Sequence, residues 1–250
     1  MPQTDPMPSS DEPEPTTQTR RLEPRRPSPW RLLVAFLVMA AAMLVTAWVG
    51  KQVVLASSSV RDLDERVSDA AVTFSLARPW LVDLLLGWSH ATEPWVLYLL
   101  LTVLAGGLAL RGLVQRRALW IVPVALVGWG LAVLCKLIVG RPRPVPEEAI
   151  KHSLGYSYPS GHATNSTIAM ILLVVLLWPL ARRAWSRTLL VLGAASVAAL
   201  TCLDRIFLGV HYPSDVVAGV LVGSAMTAAA LLIGLRRQPG PTRPPRSSRA

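Results

Sequence analysis

Three short polar clusters interrupt an apolar chain: Lys136 with Arg143-Pro144, then Pro159-Ser160-Gly161-His162, then Arg205 with His211 and Asp215. Each lies at the edge of a long hydrophobic run. Ionisable groups beside lipid are expensive to keep there unless they meet an opposite charge. Three cations, two histidines and a carboxylate in this setting suggest phosphate chemistry at a membrane surface.

Each cluster supplies a different part. Lys136 is a point charge and Arg143 a planar fork, so the two can grip a phosphate from different directions. Prolines 142, 144 and 146 end the helix and keep Arg143 in an extended segment. Basic residues at the end of a span also snorkel to the interface, so this cluster alone leaves both readings open. Ser160 and Gly161 fall where a helix begins, with free backbone N–H groups and a positive dipole end. Glycine there lets a ligand approach the backbone closely. His162 follows in the first turn, placed to donate a proton, although a serine helix cap with an incidental histidine would look the same. In the third cluster, Asp215 stands four residues after His211. A carboxylate so placed can hold one ring nitrogen, fix the tautomer and leave the other nitrogen as a nucleophile. Arg205 adds another phosphate fork.

The elements that must position these clusters are transmembrane helices. The chain is 52% hydrophobic, only 16% charged, and has a mean hydropathy of +0.43. Apolar runs at 32–49, 94–110, 119–138, 163–180, 188–203 and 215–235 approach the roughly 20 residues that cross a bilayer core. The expected fold is all-α, a bundle of six transmembrane helices in one domain over 30–235. Residues 1–29 and 236–250, rich in Pro and Arg, form two tails, and the first run is a retained span rather than a signal peptide. Residues 51–92 mix Asp62, Asp64, Glu65 and Asp69 with apolar positions at helical spacing, as amphipathic helices on a membrane surface do.

The net charge of +10 does not point to nucleic acid, because the basic residues sit in short segments between apolar runs. Segments 1–31, 111–118, 182–187 and 236–250 hold sixteen of the 25 Lys and Arg. The last three contain no acidic residue. The positive-inside rule then puts both termini in the cytoplasm and all three clusters on the extracytoplasmic face. Cys135 and Cys202 lie within apolar runs as packing thiols. Most of the nine tryptophans lie near span ends and form an aromatic belt, and Gly106 and Gly107 are candidates for close helix packing. Arg141 is a possible auxiliary phosphate contact and His152 a possible headgroup contact. His90 reads as interfacial, and Glu147 and Glu148 as a solvated pair.

Lys-x6-Arg-Pro, Pro-Ser-Gly-His and Arg-x5-His-x3-Asp, in this order, resemble the tripartite signature of the type 2 phosphatidic acid phosphatase (PAP2) superfamily. The likeness covers roughly 55–235. It departs at Asp204, where the family commonly has Ser before the arginine, and a carboxylate there is expected to weaken phosphate binding or shift its pH dependence. The resemblance implies a membrane lipid phosphatase in which His211 attacks phosphorus to give a phosphohistidine. Asp215 would orient His211, and His162 would protonate the leaving oxygen and then activate water. Lys136, Arg143, Ser160, Gly161 and Arg205 would bind the phosphoryl oxygens without a metal or other cofactor. Undecaprenyl or another polyprenyl diphosphate is the favoured substrate, with phosphatidic acid or phosphatidylglycerol phosphate as the alternative. From another class, six spans with buried cations also suit an anion or lipid transporter. Against that reading, the polar residues gather at one face and no broken helix lies at mid-membrane depth. Vanadium haloperoxidases share the clusters but are soluble.

Overall fold

The computed structural model describes residues 29–55, 58–144, 150 and 154–234, and every regular element among them is helical. The helices are α1 (Pro29–Leu55), α2 (Ser58–Leu76), α3 (Pro79–Ala91), α4 (Pro94–Leu110), α5 (Gln115–Val139), α6 (Gly161–Leu177), α7 (Ala184–Phe207) and α8 (Pro213–Gly234). Four of them open on proline, whose fixed φ and missing N–H suit a first helical position. Helix α5 ends at Gly140 in the left-handed region (φ 66°), and the Gly140 N–H donates to the Lys136 carbonyl at 2.9 Å. This cap turns the chain sharply just after Lys136.

The six apolar runs expected from sequence coincide with α1, α4, α5, α6, α7 and α8. Four of these, α1, α5, α7 and α8, are long and apolar enough to cross a bilayer. Helices α4 and α6 are apolar but 17 residues long, at the short end of a spanning length. Helices α2 and α3 meet at a 112° bend and together pass the same test as a single broken span. The described segments therefore belong to a multi-pass helical membrane protein.

Packing is inverted relative to a soluble bundle. Helix α6 lies against α7 and α8, and α1 lies against α8. An apolar cluster of Leu97, Leu101, Ile121, Ile168, Leu172, Val222 and Met226 fills the space between α4, α5, α6 and α8. Beside it, α6 buries a run of polar residues, Thr164, Asn165, Ser166 and Thr167. Tyr98 donates to Asn165 Oδ1 at 2.6 Å, and Asn165 Nδ2 donates to the Gly161 carbonyl at 2.8 Å. Meanwhile Phe36, Leu44, Trp80, Trp95, Leu100, Trp185 and Leu189 face outward. In lipid, apolar side chains need no partner while polar groups must be satisfied inside the bundle.

Helix α2 shows the same inversion most clearly. It buries Asp64, Ser68, Ala71, Val72 and Ser75, while Leu63, Val67 and Phe74 are exposed. The stripe of Asp64, Ser68 and Ser75 thus faces the protein, while Asp62, Glu65, Arg66 and Asp69 on the rest of the helix stay exposed. Ser75 donates to the Phe207 carbonyl at 2.9 Å and Phe74 meets the Phe207 ring edge-on, tying α2 to α7. Helix α3 is tied to the same neighbour by Trp88 Nε1 donating to Thr201 Oγ1 at 3.2 Å.

Close helix contact occurs at a different glycine pair from the one expected. A Cβ at Gly106 or Gly107 would meet nothing within 4 Å. One at Gly219 would lie 2.8 Å from the Ser160 carbonyl oxygen, and one at Gly223 would lie 2.7 Å from that of Thr164. Small residues four apart let α8 press on α6 at the level of the second cluster. Of the side readings, Cys135 is buried and Cys202 partly so, and His90 is exposed in the last turn of α3. The tails before Pro29 and after 234, with Glu147, Glu148, Lys151 and His152, lie outside the described residues.

Gly223→Val should force α8 away from α6 and destabilise the folded protein by about 1–3 kcal/mol, as overpacking does. Thermal unfolding in detergent checks this, with Gly106→Ala as the comparison expected to hold or raise the midpoint. An unchanged midpoint in Gly223→Val would overturn the close contact.

Candidate active site

All three clusters converge at one end of the bundle, where α5 and α7 finish and α6 and α8 begin. The join between the second and third is direct: the Ser160 N–H donates to the Asp215 carbonyl at 2.9 Å. Ser160 caps α6, with its Oγ accepting from the Ala163 N–H at 3.5 Å, and is fully buried. Gly161 faces Lys136, whose Cε would lie 3.5 Å from a Cβ added there. Lys136 Nζ donates to the carbonyls of Tyr156 at 2.9 Å and Ser157 at 3.4 Å, which bridges α5 to the segment leading into α6. The backbone returns this contact, with the Ser157 N–H donating to the Arg141 carbonyl at 2.8 Å.

The geometry around His211 is the most informative. Nδ1 lies 3.5 Å from Asp215 Oδ2, within ion-pair reach but longer than an ordinary hydrogen bond. Arg143 Nη1 sits 3.2 Å from the other nitrogen, Nε2. A guanidinium can only donate, so Nε2 is the unprotonated, accepting nitrogen and the ring proton belongs on Nδ1, facing Asp215. Burial pushes the His211 pKa down from 6.5 to about 4; Asp215 opposes that fall, and the cations Lys136 and Arg143 add to it. The lowered pKa favours the neutral ring, whose Nε2 lone pair faces Arg143. Arg143 is itself oriented by donating to the carbonyls of Val210 at 2.9 Å and Gly155 at 3.1 Å.

Arg205 is almost wholly buried at 1% exposure, and its Nε donates to Asp204 Oδ2 at 2.8 Å. Its Nη2 contacts the same oxygen. The acid that replaces the family's usual serine thus engages the guanidinium beside it. His162, in the first turn of α6, has Nε2 3.5 Å from Glu93 Oε2, at the α3–α4 junction.

Two further acidic contacts were not foreseen. Arg141 does not join Lys136 and Arg143 beside His211, where an auxiliary phosphate contact was expected. It is buried, donating through Nη1 to Asp215 Oδ1 at 2.7 Å and through Nη2 to Asp64 Oδ2 at 2.8 Å. Ser214 joins this network, its N–H donating to Asp64 Oδ1 at 3.0 Å and its hydroxyl to Asp64 Oδ2 at 2.5 Å. Sequence alone puts Asp64 with Asp62, Glu65 and Asp69 in an amphipathic surface helix. The signal available was its place in the small and polar stripe 64, 68, 71, 75 of one helix face. The Glu93–His162 contact carried no sequence signal, since 69 residues separate the two.

The PAP2 superfamily matches residues 95–239. Among curated relatives, the decaprenylphosphoryl-5-phosphoribose phosphatase of Mycobacterium tuberculosis is 37% identical over 166 residues, which span 64% of this chain and 85% of the relative. Phosphatidylglycerophosphatase B of Bacillus subtilis is 26% identical over 200 residues, spanning 78% and 89% of the two chains. Among solved structures, a transmembrane PAP2-type phosphatidylglycerolphosphate phosphatase from Bacillus subtilis superposes with a TM-score of 0.63 at 24% identity. That alignment covers 80% of this chain and 94% of the other, and it shares the fold. On the extent of the family match and the identity of its relatives, the chain belongs to the PAP2 superfamily of membrane lipid phosphatases.

Proposed function

We propose that this chain hydrolyses the phosphoryl group of a polyprenyl-linked lipid through a phosphohistidine on His211. The observation that carries this reading is the orientation of the His211 ring, with Nδ1 toward Asp215 and Nε2 against Arg143. In the first step the Nε2 lone pair forms a bond to phosphorus as the bond to the leaving oxygen breaks. His162 gives that oxygen its proton. In the second step water attacks phosphorus, His162 accepts the water's proton and Nε2 departs. Lys136, Arg143, Arg205, the Ser160 hydroxyl and the Gly161 N–H hold the phosphoryl oxygens and neutralise charge that grows in the transition state. Arg143 then exchanges its contact with Nε2 for one with a phosphoryl oxygen. Asp215 balances the charge that His211 gains.

The orientation belongs to the same reading. Six crossings, with α4 and α6 among them, put both termini in the cytoplasm and the site on the extracytoplasmic face, as the distribution of Lys and Arg supports. A substrate there would be presented by the outer leaflet. The 37% identical relatives named for decaprenylphosphoryl-5-phosphoribose favour a polyprenyl carrier, bearing either a diphosphate or a phosphate monoester on an attached group. Phosphatidylglycerol phosphate is the second reading, favoured by the 26% identical relative. Phosphate release by the purified protein from undecaprenyl diphosphate, a polyprenyl-linked sugar phosphate, phosphatidylglycerol phosphate and phosphatidic acid separates the two. A higher kcat/KM on the phospholipids would sink the polyprenyl reading, and lipid flux across vesicles without phosphate release would favour a transporter.

His211→Ala should abolish phosphate release in detergent, and EDTA should leave the wild-type rate intact. Residual turnover in His211→Ala, or strong inhibition by EDTA, would overturn the mechanism.

An NMR titration of the four histidine rings provides a second check. The signal missing from His211→Ala should stay in its neutral form down to about pH 5, because a lowered pKa extends the neutral range toward acid. A midpoint near 6.5 for that ring would show it to be solvated instead.

Asp204→Ser removes the carboxylate that engages Arg205. Inhibition by orthovanadate, a phosphate mimic, should tighten by about tenfold, the worth of one charge-assisted hydrogen bond. Unchanged inhibition would mean that Asp204 does not compete for the arginine.

A further inference from the structure

We propose that Asp64 and Arg141 are positioning residues for the reaction described above, acting on His211 through Asp215 without touching substrate. The inference rests on that reaction, but Asp64 lies outside the 95–239 match to the family and the expectation for Arg141 was a phosphate contact.

The geometry sets the argument. Asp215 is fully buried, and its two oxygens have separate partners: Oδ1 accepts from Arg141 at 2.7 Å, and Oδ2 accepts from the Tyr212 N–H at 2.9 Å. Oδ2 is also the atom 3.5 Å from His211 Nδ1. A guanidinium that took both oxygens of Asp215 would leave nothing well aimed at the imidazole. Arg141 is kept from that bidentate grip because Asp64 claims its second nitrogen at 2.8 Å. The Tyr212 ring, 4.2 Å from the Arg141 guanidinium carbon, packs against its face. Asp64 is fixed in turn by the N–H and hydroxyl of Ser214, the residue next to Asp215.

Charge points the same way. Asp64, Arg141 and Asp215 are 3%, 4% and 0% exposed, so together they form a buried group with one net negative charge. That charge lies behind His211, where it favours the positive ring formed during phosphoryl transfer. Neutralising Asp64 would leave Arg141 to cancel Asp215. Neutralising Arg141 would leave two buried carboxylates unpaired, an arrangement in which one takes up a proton. Arg141, buried and held at both ends, has no free arm for a phosphate.

The test uses the full-length protein in detergent with undecaprenyl diphosphate in mixed micelles as substrate and orthovanadate as competitor. Asp64→Asn, isosteric with the native residue, should lower kcat on the order of 10–100-fold, as loss of an outer partner of a reacting group does. KM and orthovanadate inhibition should stay within about twofold. Arg141→Gln should behave alike, and Arg141→Lys should recover part of kcat by keeping the charge without the fork. A raised KM with weakened orthovanadate inhibition in Arg141→Lys would make Arg141 a phosphate ligand and overturn the inference. So would a wild-type kcat in Asp64→Asn, or a loss that tracks a lowered unfolding midpoint and is not recovered by Arg141→Lys. If Asp64→Asn does not fold, the Arg141→Lys and Arg141→Gln pair decides alone. His211→Ala is run alongside: activity in that variant would defeat the phosphohistidine reading, whereas an inactive His211→Ala beside an unaffected Asp64→Asn would defeat only this inference.

Discussion

A carboxylate with no exposed surface must have its charge met inside the protein, and Asp215 meets that requirement by drawing several segments together. Its side chain takes hydrogen bonds from Arg141 and from the Tyr212 backbone, and its carbonyl takes one from the Ser160 N–H. Through these bonds the start of α8 is joined to the start of α6 and to the segment after α5. The close approach of Gly219 and Gly223 to the α6 backbone is compatible with that joint, because bulkier residues would hold the two helix starts apart. The side chain of Asp215 thus ties the start of α8 to the segment after α5, and its backbone ties it to the start of α6.

Much of this arrangement was legible in the sequence because lipid simplifies the code. A chain in a bilayer must satisfy its backbone within helices, so apolar runs mark helices directly. The runs at 94–110 and 119–138 correspond to α4 and α5 within a few residues at each end. The convergence of Lys136, Ser160, His162, Arg205 and His211 at one end also followed from spacing, since antiparallel helices return each cluster to the same level.

What the sequence concealed depends on contacts between distant residues. Asp64 and Ser214 are 150 positions apart, and no local pattern couples them. The roles of Arg141 and Arg143 could not be separated by type, because both are arginines before prolines in one short motif. Two residues of backbone turn one toward Asp215 and the other toward His211 Nε2. The burial of Asp64 on one face of α2 is hidden for a related reason. A stripe of Asp, Ser and Ala next to a stripe of Leu, Val and Phe is amphipathic, but periodicity does not say whether water or protein lies on the polar side.

The inward polar stripe of α2 bears on the order in which the molecule is assembled. During synthesis Asp64 is made long before Arg141 and longer still before Ser214 and Asp215. Until those arrive it has none of its final buried partners, and lipid offers it no substitute. Ser214 arrives only with α8, so its two hydrogen bonds to Asp64 cannot close before α8 is made. A chain cut short before α8 would lack both Ser214 donors and the Asp215 acceptor on which this buried network rests.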